Sequence, residues 1–224
     1  MKLIFILVAC LIPMAGWSQG VWEAPVSAND VKNDVSVKKE DPDAEYLAGA
    51  VPEVNGKVEW KLDIDVPGKS AQEIYDIMFN YFTKFTKEEN QLEGSRISLI
   101  NKQENIIVVS AKEWLVFTDK LLSLDRTKFN YTLITYCKDN HLTVTMGRIS
   151  YKYDEERSSG DHVYMAEEWI NDENALNKKK TRLLPGSAKF RRKTIDRKNY
   201  IFDEIKSTVL KSVSYTHLTL PTIA

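Results

Sequence analysis

Cysteine is almost missing from this chain, which has two in 224 residues, Cys10 and Cys137. Cys10 lies in an apolar run at the start, so a processed chain keeps one thiol. One thiol makes no internal disulfide, and the fold must rest on its apolar core. Histidine is nearly as scarce, at three residues, which is too few beside a single Cys for a zinc site. No apolar run approaches the roughly 20 residues that a membrane-spanning helix needs. No HExxH, P-loop or GxGxxG spacing occurs. An excess of one charge sign is also missing: 31 Lys and Arg stand against 32 Asp and Glu, a formal net charge of −1. That balance gives no global pull toward nucleic acid or membrane. These absences assign no catalytic, cofactor-binding or metal residue, and the expectation is a protein that is not an enzyme and carries no cofactor.

What is present begins with MKLIFILVACLIPMAGWSQG, in which one Lys precedes an apolar run, Leu3–Ala15, and then small residues. Residues 1–18 read as a secretory signal peptide cleaved before Gln19. The rival reading takes Leu7-Val8-Ala9-Cys10 as a lipobox with lipidation on Cys10; it shortens the apolar region to Leu3–Ala9 and strands an apolar remnant on the product. Export to the periplasm or cell envelope is therefore expected, with no transmembrane segment in the mature chain. Residues 19–56, which include VSANDVKNDVSVKKEDPDAEY, are rich in Asp, Asn, Lys and Ser. They are expected to be a flexible linker, because such composition buries little apolar surface.

Order is expected from Lys57. In KVEWKLDID, Val58, Trp60, Leu62 and Ile64 alternate with charged residues, the pattern of a half-buried strand. Ser70 and Glu73 form a capping box, Ser-x-x-Glu. Behind it Ile74, Ile77, Met78, Tyr81, Phe82 and Phe85 make an apolar helical stripe. Four β-rich runs follow, at 96–101, 104–117, 126–138 and 141–154, with a tight turn at Lys138–His141. In the last run Leu142, Val144 and Met146 share one parity and Ile149, Tyr151 and Tyr153 the other, so a β-bulge is expected at Gly147. Cys137 falls on the parity of Phe129, Tyr131, Leu133 and Thr135 and reads as a core residue. The acid pairs Asp63/Asp65 and Glu167/Glu168 are set aside on the ground that neighbouring strand residues face opposite ways. Residues 155–189 read as an irregular basic connection with short helices, and 190–211 as a final helix with Ile195, Phe202, Ile205 and Val209 on its apolar face. The expected fold class is α+β: two layers, a five-stranded mainly antiparallel sheet in the order β-α-β-β-β-β, then a C-terminal helix.

The stretches VPGKSAQEIYDIM, SLDRTKFNYTLITYC, AEEWINDENALNKKKTRL and GSAKFRRKTID resemble a secreted bacterial domain-of-unknown-function family with a TBP-like fold, found in gut Gram-negative bacteria. The resemblance implies a TBP-like domain over residues 57–154 and an exported protein, and it carries no site residues. The fold's name suggests DNA, yet an exported chain does not meet chromosomal DNA, and fold alone does not assign function. No nucleic acid is expected. The basic stretch Lys178–Lys198 supplies a candidate anionic-surface contact through Lys178, Lys179, Lys180, Arg191, Arg192 and Lys193. The expected function is a non-catalytic binding or scaffolding module for an unknown envelope protein, lipid or polysaccharide; the alternative is a small apolar ligand held between the sheet and helix 70–86. Residues 212–224 are expected to be foreign. The run VSYTHLTLPT is similar to a reading frame of a sequencing adapter, and is read as processing scar rather than fold.

Overall fold

A computed structural model of the protein describes residues 42–120, 123–153 and 162–216. The expected signal peptide, its cleavage point, Cys10 and most of the linker lie outside these residues. So do residues 217–224 of the expected foreign tail.

Helix α1 (Ala71–Phe85) starts where the capping box places it: the Ser70 hydroxyl accepts from the Glu73 amide while the Glu73 carboxylate accepts from the Ser70 amide. Ile74, Tyr75, Met78, Phe82 and Phe85 are buried on one face. Ile77 and Tyr81 are only half-buried, and Tyr75 takes a core place that the expected stripe did not give it.

That face packs on a six-stranded antiparallel sheet. The main path runs β3 (Trp60–Asp65), β7 (His141–Tyr153), β6 (Ser123–Lys138), β5 (Ile106–Lys120) and β4 (Arg96–Asn101), and β8 (His162–Met165) pairs with the far end of β7. β8 adds a strand to the five expected; at four residues it is too short for alternation to reveal. β5 and β6 also run longer than expected, because the ladder needs only backbone groups and a register shift between Val116 and Thr118 absorbs the misfit. The bulge in β7 is present. From Asn130 to Thr132 β6 advances two residues while β7 advances three, from Ser150 to Gly147, and Arg148 sits there at φ 53°. Leu142, Val144, Met146, Ile149 and Tyr151 are consequently all buried. The β6–β7 turn also braces the start of α1: Asp139 accepts from the Ala71 amide at 2.7 Å and Asn140 from the Gly68 amide at 2.7 Å.

Order begins earlier than Lys57, which corrects the linker's expected end at Gly56. β1 (Glu53–Val54) and β2 (Lys57–Val58) form a hairpin around Asn55-Gly56, both at positive φ. Asn-Gly is the strongest short-range hairpin signal, and it outweighs the polar composition around it. Ahead of it a single helical turn (Ala44–Tyr46) and buried Val51 pack on the domain.

After β8 come the short helices α2 (Ala166–Trp169) and α3 (Asp172–Ala175), then α4 (Pro185–Thr216). Pro185 opens α4 where its missing N–H costs nothing. Phe190, Ile195, Ile201, Phe202, Ile205 and Val209 join α1 and the sheet in one core. The helical backbone runs to Thr216 rather than stopping at Lys211; no Gly or Pro breaks it before Pro221.

Candidate binding surface

The residues expected to form an anionic-surface contact are not brought together. Lys178, Lys179 and Lys180 are exposed on the turn between α3 and α4. This turn is built: the Asn177 side-chain oxygen accepts from the amides of Thr181 and Arg182 at 2.8 and 3.2 Å, and Lys180 holds φ 55°. Arg191 leaves the candidate set. It is 0% exposed and spends its guanidinium on backbone. Nε donates to the Tyr46 carbonyl at 2.6 Å, Nη1 to the Ile170 carbonyl at 2.6 Å, and Nη2 to the Leu47 carbonyl at 2.7 Å and to Asp172 at 2.6 Å. Arg192 forms a two-pronged pair with Asp43, both contacts at 2.7 Å, and Lys193 is half-buried. The reason is the turn of the helix: on α4 Arg191 and Arg192 face the segment Asp43–Leu47, where they reach the Tyr46 and Leu47 carbonyls and the Asp43 carboxylate.

One polar cluster was not expected. Glu113 on β5 is 1% exposed, and its carboxylate accepts from Arg197 Nε at 2.8 Å, Arg197 Nη2 at 2.7 Å, Asn90 at 2.7 Å, Gln91 at 2.8 Å and Tyr131 at 3.1 Å. Burial and the neighbouring carboxylate push the Tyr131 phenol far above its usual range. A signal was available. Glu113 shares the core parity of Ile107, Val109, Ala111 and Leu115, and Arg197 lies on the α4 face of Phe190, Thr194 and Ile201. Every acceptor position of Glu113 is engaged, so the cluster fixes how α4 sits on the sheet and offers no free base.

Asp63 and Asp65 are two residues apart and share a face, so the ground for setting them aside fails. His141 lies between them, Nδ1 3.0 Å from Asp65 and Nε2 3.3 Å from Asp63, and Thr143 donates to Asp63 at 2.7 Å. Hydrogen bonds from Lys61 and Thr143 hold the Asp63 carboxyl down at about 2. The group is exposed and joins β3 to β7. Cys137 is buried as expected, and desolvation pushes its thiol up to about 12, so it is no nucleophile at neutral pH.

The space between α1 and the sheet is filled: Ile74, Met78 and Phe82 are all fully buried there. A hollow of about 460 Å³ lies between α1 and α4, where Ile77, Tyr81, Lys84 and Glu88 face Glu204 and Thr208.

The opposite face of the sheet is different in kind. Among the described residues no helix covers it. One cross-strand row reads Leu99, Val108, Ile134, Thr145, Lys61, and the next reads Asn101, Ile106, Tyr136, Thr143, Asp63. An antiparallel sheet with a wet face normally turns polar residues outward. Here β4, β5 and β6 turn out aliphatic side chains, with Leu99 49% and Tyr136 41% exposed. A hollow of about 200 Å³ borders the row where Glu59 and Arg148 approach Thr132, Ile134 and Thr145. Farther along, Arg126 and Lys128 lie over Trp114, with the Arg126 guanidinium 3.8 Å from the ring centroid, and Lys112 is exposed two residues before Trp114 on β5.

The helix-backed antiparallel sheet defines an α+β domain, and residues 60–152 match the family described as "Domain of unknown function (DUF4468) with TBP-like fold". The chain belongs to that family. It is similar to the crystal structure of a DUF4468 family protein from Bacteroides ovatus ATCC 8483, at 39% identity and TM-score 0.70, over 76% of this chain and 96% of that one. It is also similar to a TBP-like protein from Parabacteroides distasonis ATCC 8503, at 25% identity and TM-score 0.57, over 71% and 96%. No curated protein matches the chain. Among the described residues no helix is long and apolar enough to cross a membrane.

Proposed function

We propose that this protein is an exported, non-catalytic binding module of the cell envelope, and that it holds a protein partner against the bare face of its sheet. The observation that carries the reading is the aliphatic row Leu99–Val108–Ile134, with Tyr136 in the row beside it, on a face where water-facing residues should be polar. The partner suited to it presents an apolar centre with acidic groups beside it, to meet Lys112, Arg126 and Lys128. A photo-crosslinking residue at Tyr136, in cells of the source organism, tests this. A single adduct is expected that disappears with Val108→Lys and does not form from the same probe at Glu204 on α4. Adducts equal at both positions, or indifferent to Val108→Lys, overturn it.

A second reading rests on the braced turn at Lys178–Lys180, which presents three lysines together and suits contact with an anionic lipid or polysaccharide surface. Export is part of the proposal. Intact-mass analysis of the mature protein should give a chain starting at Gln19, and a diacylglycerol adduct on Cys10 would make it a lipoprotein instead.

A further inference from the structure

We infer that two copies of this protein associate through the outer edge of β4, pairing strand to strand in antiparallel about a two-fold axis. Among the described residues β4 has a partner, β5, on one side only. Its sequence is Arg-Ile-Ser-Leu-Ile-Asn, with one charge at its end and no Pro, so the usual protections of an edge strand are largely missing.

A bulge is present, and it is what makes the strand self-complementary. Ile97 pairs with Val109 and Ile100 with Ile107, while Leu99 pairs with Val108 and the register shifts between Ile97 and Leu99. Val109 and Ile107 both face the helices and are fully buried. Ile97 and Ile100 therefore lie on one face although they are three positions apart; in a regular strand they would lie on opposite faces. Ile100 remains 47% exposed on this helix side, at the margin of the core.

An axis between Ser98 and Leu99 overlaps all six residues of two such strands. It sets Ile97 against the second copy's Ile100, and Arg96 against the second copy's Asn101. Side chains meeting across the axis then share a face, four isoleucines come together, and no like charges oppose one another. On the other face the row Leu99–Val108–Ile134 runs on into the second copy. An unrelated strand needs none of this internal symmetry, which is why the occupant is a second copy. The inference stands independently of the partner proposed above, since the bare face serves a monomer or a dimer.

Sedimentation velocity on the purified full chain, over a concentration series, should show a monomer–dimer equilibrium. Ile100→Lys should raise the dimer Kd by about tenfold or more, with an unchanged circular dichroism spectrum because Ile100 is half exposed. A paired-cysteine variant tests the register separately. In the dimer a cysteine replacing Ile97 in one copy stands directly opposite one replacing Ile100 in the other, at disulfide distance, whereas in one chain the two positions oppose Val109 and Ile107 and lie about 7 Å apart, at the outer limit that a disulfide spans. Oxidation of the double variant should therefore give covalent dimer, while either single variant should stay monomeric. A chain that stays monomeric and does not cross-link, a dimer indifferent to Ile100→Lys, or single variants that cross-link as well as the double, each overturns the inference.

Discussion

Two basic stretches lie close together in this chain and meet opposite fates. Lys178, Lys179, Lys180 and Arg182 stand in water on a braced turn. Lys189, Arg191, Arg192 and Arg197, only a few residues on, are turned into the protein by α4. Lys189 donates to Asp125 at 2.7 Å and to the Tyr153 hydroxyl at 2.7 Å. Arg191 ties Tyr46, Leu47, Ile170 and Asp172 together, and Arg197 serves Glu113. Both are rich in Lys and Arg; what differs is the helix. A turn lets every lysine reach solvent, whereas a helix packed on two sides presents each third or fourth residue to the core whatever its charge. Charge density along a sequence therefore does not locate a charged surface.

If that contrast is right, its deepest member should matter most. Arg197→Met leaves the Glu113 carboxylate buried without its cation, and chemical denaturation should show a loss of about 3–5 kcal/mol. A loss under 1 kcal/mol would mean that water reaches Glu113 and that the cluster is not closed.

Arg191 should come next. Its replacement by Ala removes a guanidinium from three carbonyls and one carboxylate, at a cost of about 3 kcal/mol. The loss should be selective: limited proteolysis should cut residues 42–52 early while the sheet resists. Lys at this position should recover little, because an ammonium lacks the planar fork that reaches several acceptors at once.

This strap also shows where the sequence was legible and where it was not. The capping box at Ser70, the β7 bulge and buried Cys137 follow from spacing alone, because each depends on residues close in the chain. The clamp of Arg191 on Tyr46 spans 145 residues, and nothing local in either partner announces it. Composition alone puts the linker's end too late, because Asn55-Gly56 is a hairpin signal set within a polar stretch. Glu113 was readable in principle, as an acid on core parity, but its meaning required Arg197 from α4. The bare face was invisible for a related reason: alternation reports which residues share a face, not whether a helix lies on it.

Arg192 tests the boundary between the two fates. It is partly exposed, and its pair with Asp43 should contribute about 0.5–1 kcal/mol. The hydrogen bonds from Arg192 hold the Asp43 carboxyl below its ordinary value of 3.8. A depressed carboxyl stabilises the fold above its unfolded pKa and loses that contribution as pH falls through the folded one. The stability difference between wild type and Arg192→Ala should thus be constant from pH 5 to 8 and shrink below about pH 4. Asp196, raised by burial but lowered in part by Arg192, works in the opposite sense, so the difference is read in an Asp196→Asn background, from urea midpoints at each pH. A difference that persists well below pH 3 would place the Arg192 contribution in packing rather than in charge.

The smallest effect on stability is expected at the turn, and there the effect on binding should be largest. Lys178→Gln, Lys179→Gln and Lys180→Gln together should change stability by no more than about 0.5 kcal/mol, since all three side chains lie in water and the turn is braced by Asn177. Gln at 180 keeps the same positive-φ demand as Lys, so no new backbone strain enters. On anionic vesicles the same triple variant should be retained less than wild type, and its retention should depend less on salt. Arg191→Ala, measured alongside, should not weaken retention while the fold holds, because that guanidinium never faces the vesicle. If the triple variant is retained as well as wild type across the salt series, the turn is a solvated surface, and the contrast between the stretches is one of packing alone.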